Sequence, residues 1–171
     1  VNPDFGVVEA DDVVVNLTAD ETFFPEKRLF FLEGQDIFST SPRSGTRFGN
    51  KLAVVNTRRI GARPREPALP EGVSLPTREE VRPSDLLGAA KVTGQVGRIR
   101  YGVLAAMEDE SEFLADDAQV YFQEGRDFAA VRFLYEDDQN ASYRGLGFIS
   151  TLVANSDADA VVHGIDFHRL S

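Results

Sequence analysis

The sequence has no cysteine, no tryptophan, one methionine and two histidines. Without cysteine there is no disulfide framework, no thiolate nucleophile and no cysteine-ligated metal. The histidines, His163 and His168, lie in "HGIDFH". On a strand they point to opposite faces and cannot ligate one ion together. Asp166 and His168 would share a face, but two ligands are too few to define a metal site. No run of about 18 apolar residues occurs, which excludes a transmembrane helix. It does not exclude a transmembrane β-strand, which needs only about ten residues with alternate ones apolar. Also missing are a G-x-S-x-G elbow, a phosphate-cradling glycine loop and an H-E-x-x-H pair. Positive charge is scarce: 18 Lys and Arg stand against 28 Asp and Glu, a net charge of −10. A surface of that sign repels phosphate, so nucleic acid is not an expected partner. The start, "VNPDFG", has no methionine, basic region or apolar run, so no signal peptide is read there. The expectation is a processed chain or a piece of a longer one.

What is present is a folded composition, 42% hydrophobic and 27% charged over 171 residues, enough for one domain with a sizeable core. The dominant period is two. In "RIRYGVLAAM" Ile99, Tyr101, Val103, Ala105 and Met107 alternate with Arg98, Arg100 and Gly102. In "FAAVRFLYED" Ala129, Val131, Phe133 and Tyr135 share one face, with Arg132 and Glu136 on the other. In "AVVHGIDFHRL" Val161, His163, Ile165 and Phe167 oppose Val162, Gly164, Asp166 and His168. Each run reads as a strand with one greasier face. "TGQVGR" (93–98), "EDDQNAS" (136–142) and "NSDADA" (155–160) read as the turns between strands. Gly145 and Gly147 share a face and leave room there for a neighbouring backbone, a large side chain or a plugging segment. "SEFLADDA" (111–118) is the best candidate for a short turn or helix, with Ser111 as N-cap.

Between Gly61 and Asp85 lie five of the eight prolines. Proline cannot serve in a central strand, so this is a long irregular loop. The fold expected is mainly β: an antiparallel meander of amphipathic strands, barrel-like or part of a barrel, with a long Pro-rich loop. The chain is read as a single β-rich domain over 1–171. It comprises N-terminal strands with the "FFPEKR" motif (1–60), the loop (61–85) and a meander (86–171).

The candidate chemistry lies in "FFPEKRLFFLEGQDIF" and "NTRRIGARPR". Glu26 and Glu33 could act as an acid–base pair with Arg28 as electrostatic stabiliser, as paired carboxylates do when their environments separate their pKa values. The alternative is a mutually neutralised charge network of Glu26, Arg28, Glu33, Asp36, Arg58 and Arg59, since charges taken out of water must be paired. No histidine or nucleophile stands nearby, so an enzyme is not favoured. No cofactor or metal is expected. Calcium could bind the carboxylates of "EDESEFLADD" (108–117) or "SDADA" (156–160), although neither carries the spacing of a calcium loop.

"VNPDFGVVEADDVVVNLTADETFFPEKRLFFLEGQDIF", "NTRRIG", "LLGAAKVTGQVGRIRYGVLAA" and "VHGIDF" resemble, in order, a bacterial envelope family of unknown function. Leu29 stands where that family usually has proline. Its members carry an N-terminal family-nine carbohydrate-binding-like domain and a C-terminal domain that looks like an outer-membrane β-barrel. Some are labelled membrane-associated hydrolases. The resemblance places this chain at the start of the C-terminal domain. It implies a bacterial outer-membrane or envelope location, membrane lipid as a partner in the full-length context, and a glycan as a further partner. Tyr101, Tyr135, Tyr143 and Phe167 would then lie near membrane interfaces. A few strands cannot close a barrel alone, so an isolated piece of this length would fold as a compact β-rich domain or form a homo-oligomer. A soluble carbohydrate- or protein-binding module and a glycan hydrolase are the other readings.

Overall fold

The alternating runs become long antiparallel strands in the computed structural model, which describes residues 26–40, 54–80, 82–138 and 143–170. The strands are β1 (Leu86–Val96), β2 (Ile99–Glu108), β3 (Ser111–Leu114), β4 (Val120–Gln123), β5 (Asp127–Asp137), β6 (Tyr143–Ala154) and β7 (Ala160–Leu170). Five of them form one sheet in the order β1-β2-β5-β6-β7, and β3 and β4 pair separately. The large sheet is a meander interrupted by one hairpin, mainly β as expected. It is open, with β1 and β7 as its edges.

The β1–β2 turn is tighter than the "TGQVGR" signal implied. Val96 pairs with Ile99, leaving Gly97 and Arg98 as a two-residue connection. Gly97 has φ +59°, a left-handed conformation that favours glycine and matches the strand twist of a hairpin.

The helix expected at "SEFLADDA" is corrected to β3 and the turn after it. Phe113 is buried with Leu75 and Ala115, with Tyr121 packed against them. Register pairs Phe113 with Tyr121 and Leu114 with Val120. Burial of Phe113 therefore overrides a local capping signal worth about 1 kcal/mol.

The N-terminal stretch "VVEADDVVVNLTAD" lies outside the described residues. The described part of the first sixty residues holds short helical turns: α1 (Leu29–Leu32) and 3₁₀ turns at Gln35–Phe38 and Thr57–Arg59. The Pro-rich loop is irregular apart from one turn, α2 (Thr77–Glu80).

The main core lies between these N-terminal turns and one face of the sheet. Phe31, Ile37, Phe38 and Ile60 from the turns pack on Leu104, Ala106, Ala130 and Leu134 from β2 and β5. We call this face inner and the opposite face outer, and the packed segments 26–40 and 54–63 the insert.

Candidate functional site

The inner face is unusually charged for a buried surface. Register places Arg100, Gly102, Leu104, Ala106 and Glu108 of β2 on it. Opposite them stand Leu134, Arg132, Ala130 and Phe128 of β5. Arg132 is 1% exposed. Its guanidinium holds both oxygens of Asp166 on β7, and its Nε donates to the Ile37 carbonyl at 3.2 Å. Asp166 also meets His168 Nε2 at 2.8 Å. The pair spans three strands, and Gly147 of β6 lies between them. A Cβ there would sit 2.5–2.6 Å from the Arg132 guanidinium and the Asp166 carboxylate. The room expected at Gly147 is thus filled by a large charged side chain.

At the far end of the face, the buried Glu108 accepts from Arg126 Nε at 2.7 Å and from the backbone N–H of Gly61 at 2.8 Å. Lys91 of β1 donates to the carbonyls of Phe30 and Glu33 and lies 4.9 Å from the Phe30 ring centroid.

Glu26 and Arg28 form a closed node within the insert, with side chains 1% and 2% exposed respectively. Glu26 Oε1 accepts from the backbone N–H groups of Lys27 and Arg28 and from Arg28 Nε. Its Oε2 accepts from Arg28 Nη2 and Thr57 Oγ1, at 2.8 and 2.7 Å. Arg28 then donates to the carbonyls of Ile60 and Thr57 and stacks 4.2 Å over the Phe31 ring. Burial pushes the Glu26 carboxyl up, but the hydrogen bonds from Arg28 and Thr57 outweigh it and hold the group below its ordinary value. Such an arrangement ties residue 26 to residues 57–60. It leaves the carboxylate no face open to a substrate.

The other candidates are dispersed. Glu33 is exposed at the end of α1. Asp36 finds its cation on the sheet, in Arg100 of β2. Arg58 donates its backbone N–H to Asn56 Oδ1, and the Arg59 carbonyl accepts from Arg126. Among the described residues no group of three or more His, Cys, Asp or Glu could hold a metal ion. In the acidic stretches considered for calcium, Glu108 is engaged by Arg126 and Asp116 accepts from Ser74 at 2.7 Å.

The residues that organise the inner face were not read from sequence as one network, although Glu108 was weighed as a calcium ligand and Asp166 as a metal ligand. They are Lys91, Glu108, Arg126, Arg132 and Asp166. Their common signal is a charge on the less apolar face of an alternating strand, visible for Arg132 and Asp166. Their partners lie far away along the chain, 95 residues for Arg132 and Ile37.

The outer face is the reverse. Across β2, β5, β6 and β7, one rung reads Ile99, Tyr135, Leu146, Phe167 and the next Tyr101, Phe133, Phe148, Ile165. Val103, Val131, Ser150 and His163 follow, then Ala105, Ala129, Leu152 and Val161. On β1 this face carries Gly88, Ala90, Val92, Gly94 and Val96. Ile165 is 78% exposed, Phe167 65% and Phe133 48%. The charged rungs stand only at the ends: Asp137, Arg144 and Arg169 at one, Asp127 at the other. Tyr101, Tyr135 and Phe167 share this face. Tyr143 does not: it lies on the inner face and donates its hydroxyl to Glu136 at 2.7 Å.

No helix among the described residues is long and apolar enough to cross a membrane. Comparison with curated proteins and with solved structures returns no match. One family description matches residues 1–124, which covers the insert, the Pro-rich loop and the strands through β4. By that match the chain belongs to the family described as Domain of unknown function (DUF5916).

Proposed function

We propose that the five-stranded sheet is a stretch of the wall of a β-barrel in the bacterial outer membrane. Its outer face meets lipid and its inner face looks into the lumen. The observation that carries this is the inverted polarity of the sheet. A soluble antiparallel sheet buries its apolar face and wets its polar one. Here the face with arginine, glutamate and aspartate is covered where the insert lies on β2 and β5, and the face with phenylalanine, isoleucine and valine is bare. An exposed apolar surface of that extent marks a contact with protein or lipid.

The dimension fits lipid. Asp127 and Asp137 bound β5 ten residues apart, about 34 Å along a strand rising ~3.4 Å per residue. At a barrel tilt of about 40° this is roughly 26 Å along the membrane normal, close to the ~25 Å apolar band of outer-membrane barrels. A row of tyrosine and phenylalanine near one end resembles an interfacial aromatic belt.

Further strands must close the wall. With five antiparallel strands, β1 and β7 run in the same direction, so a ring of identical copies would need a parallel seam. An added set of antiparallel strands closes the barrel without one. In this setting the protein anchors an envelope assembly that includes a glycan-binding domain, or passes a substrate. A sugar-binding platform is the weaker reading of the exposed rings. The outer face between its charged rungs offers Tyr101, Tyr135, Ser150 and His163 as polar side chains, with no carboxylate or amide among them to read sugar hydroxyls. The acid–base reading of Glu26 and Glu33 lacks an open carboxylate at position 26.

The test is fractionation of the full-length polypeptide in a Gram-negative host. The expected result is recovery in the outer membrane, resistance to alkaline extraction, and a gel mobility that changes on boiling. Recovery as a freely soluble protein would overturn the reading. Specific glycan binding by that soluble form would favour the binding module instead.

A further inference from the structure

The inner face is not merely lined with charge: it is shaped to hold the insert along its whole height. At one end Asp36 pairs with Arg100. One rung along, Arg132 donates to the Ile37 carbonyl. At the other end Gly61 donates its N–H to Glu108, and Arg126 Nη2 reaches the carbonyls of Arg59 and Arg63 at 3.3 and 3.5 Å. Between these ends Lys91 holds the carbonyls of Phe30 and Glu33.

Three of the wall's cations, Lys91, Arg126 and Arg132, thus bind backbone carbonyls of the insert, which are present whatever side chains it carries. The wall is also carved to receive it. A Cβ on Gly102 of β2 would lie 2.9 Å from both Ile37 and Phe38. On the insert, Gly34 meets Thr93 of β1, with 3.6 Å from an ideal Cβ to the Thr93 Cβ. Buried apolar contacts fill the space between.

From this we infer that residues 26–40 and 54–63 are a lumen plug that keeps the barrel closed to ions, latched by Lys91 and by the Arg132–Asp166 pair. The inference rests on the membrane-wall reading and adds to it that the resting barrel is occluded. Charge-assisted hydrogen bonds to backbone are strong but separable. They suit a segment that must stay seated and still be able to leave.

The experiment uses the full-length protein in planar bilayers, with insertion checked separately through a probe on Phe133→Cys quenched by brominated lipid. Absence of quenching would mean that the membrane reading itself fails, whatever the plug does. In inserted protein, the wild type is expected to be electrically silent. Lys91→Met with Arg132→Met is expected to give unitary current steps. Because the chain has no cysteine, Gly34→Cys with Thr93→Cys gives a clean tether, at a Cβ separation within disulfide range. Oxidation is expected to cross-link this pair in otherwise wild-type protein. In the latch-broken background it should silence the current until reductant is added. Steady conductance by inserted wild-type protein, an inserted latch variant that stays silent under reductant, or failure of the pair to cross-link would each overturn the plug. If the latch variant does not insert, the wild-type current and the cross-link decide: silence with cross-linking supports the plug, and either conduction or no cross-link refutes it.

Discussion

The two faces of the sheet are built from the same strands and obey opposite rules. On the inner face Arg132, Glu108 and Asp166 are taken from water, and each has its partners. On the outer face Phe133, Phe148, Ile165 and Phe167 stand bare with no covering element among the described residues. The difference teaches which solvent each face was selected for. Charge can be buried if it is paired and hydrogen-bonded, at a cost. Large apolar side chains in such numbers are left uncovered only where something apolar meets them.

The contrast can be broken most severely from within. Glu26→Gln leaves Arg28 buried without its counter-charge, and removal of one partner of a buried pair costs about 3–5 kcal/mol. Denaturant unfolding should show this as a lowered midpoint. The mirror experiment puts charge on the outer face. Val103→Arg places a cation mid-band and should cost about 2–4 kcal/mol in a bilayer. On a water-facing sheet the same exposed change would stay within about 0.5 kcal/mol. Unfolding titrations in lipid vesicles separate the two cases.

Gly147→Ala comes next. Its methyl would push into the Arg132–Asp166 pair, and overpacking of a filled interior costs about 1–3 kcal/mol. Acid gives a smaller, graded effect. The Glu26 carboxyl is held below its ordinary value of 4.5. Its contribution is therefore present above that value and is lost as pH falls through the lower folded value. Stability measured from about pH 6 downward should decline in the acid limb, and Glu26→Gln should flatten that decline. Smallest of all, Arg65→Ala removes an exposed pair with Asp157 and should change stability by no more than about 1 kcal/mol.

Much of the sheet was legible because period-two alternation is a local property. "RIRYGVLAAM" and "FAAVRFLYED" revealed which residues share a face. They did not reveal which face would be covered, because that depends on the insert, far away in the chain. "FFPEKRLFFLEG" announced charges among phenylalanines, and the Glu26–Arg28 contact is close in sequence. The third member, Thr57, lies 31 residues on and carries no signal of its own. The β3–β4 hairpin was misread because Ser111 and the acidic residues after it mimic a helix start. Leu75, with Leu69 and Val73, is brought in by the proline-rich loop and makes Phe113 a buried strand residue. Tyr143 was grouped with the other tyrosines by type, although its strand parity with Gly145 and Gly147 already put it on the inner face.

The central claim, that the two faces meet different solvents, is tested most directly by quenching. Single cysteines at Phe133 and Ile165 on the outer face, and at Gln95 and Thr151 on the inner face, can each carry a small fluorophore in this cysteine-free chain. In vesicles containing brominated lipid, the account predicts strong quenching at 133 and 165 and little at 95 and 151. Equal quenching at all four positions, or quenching at 95 and 151 alone, would contradict it.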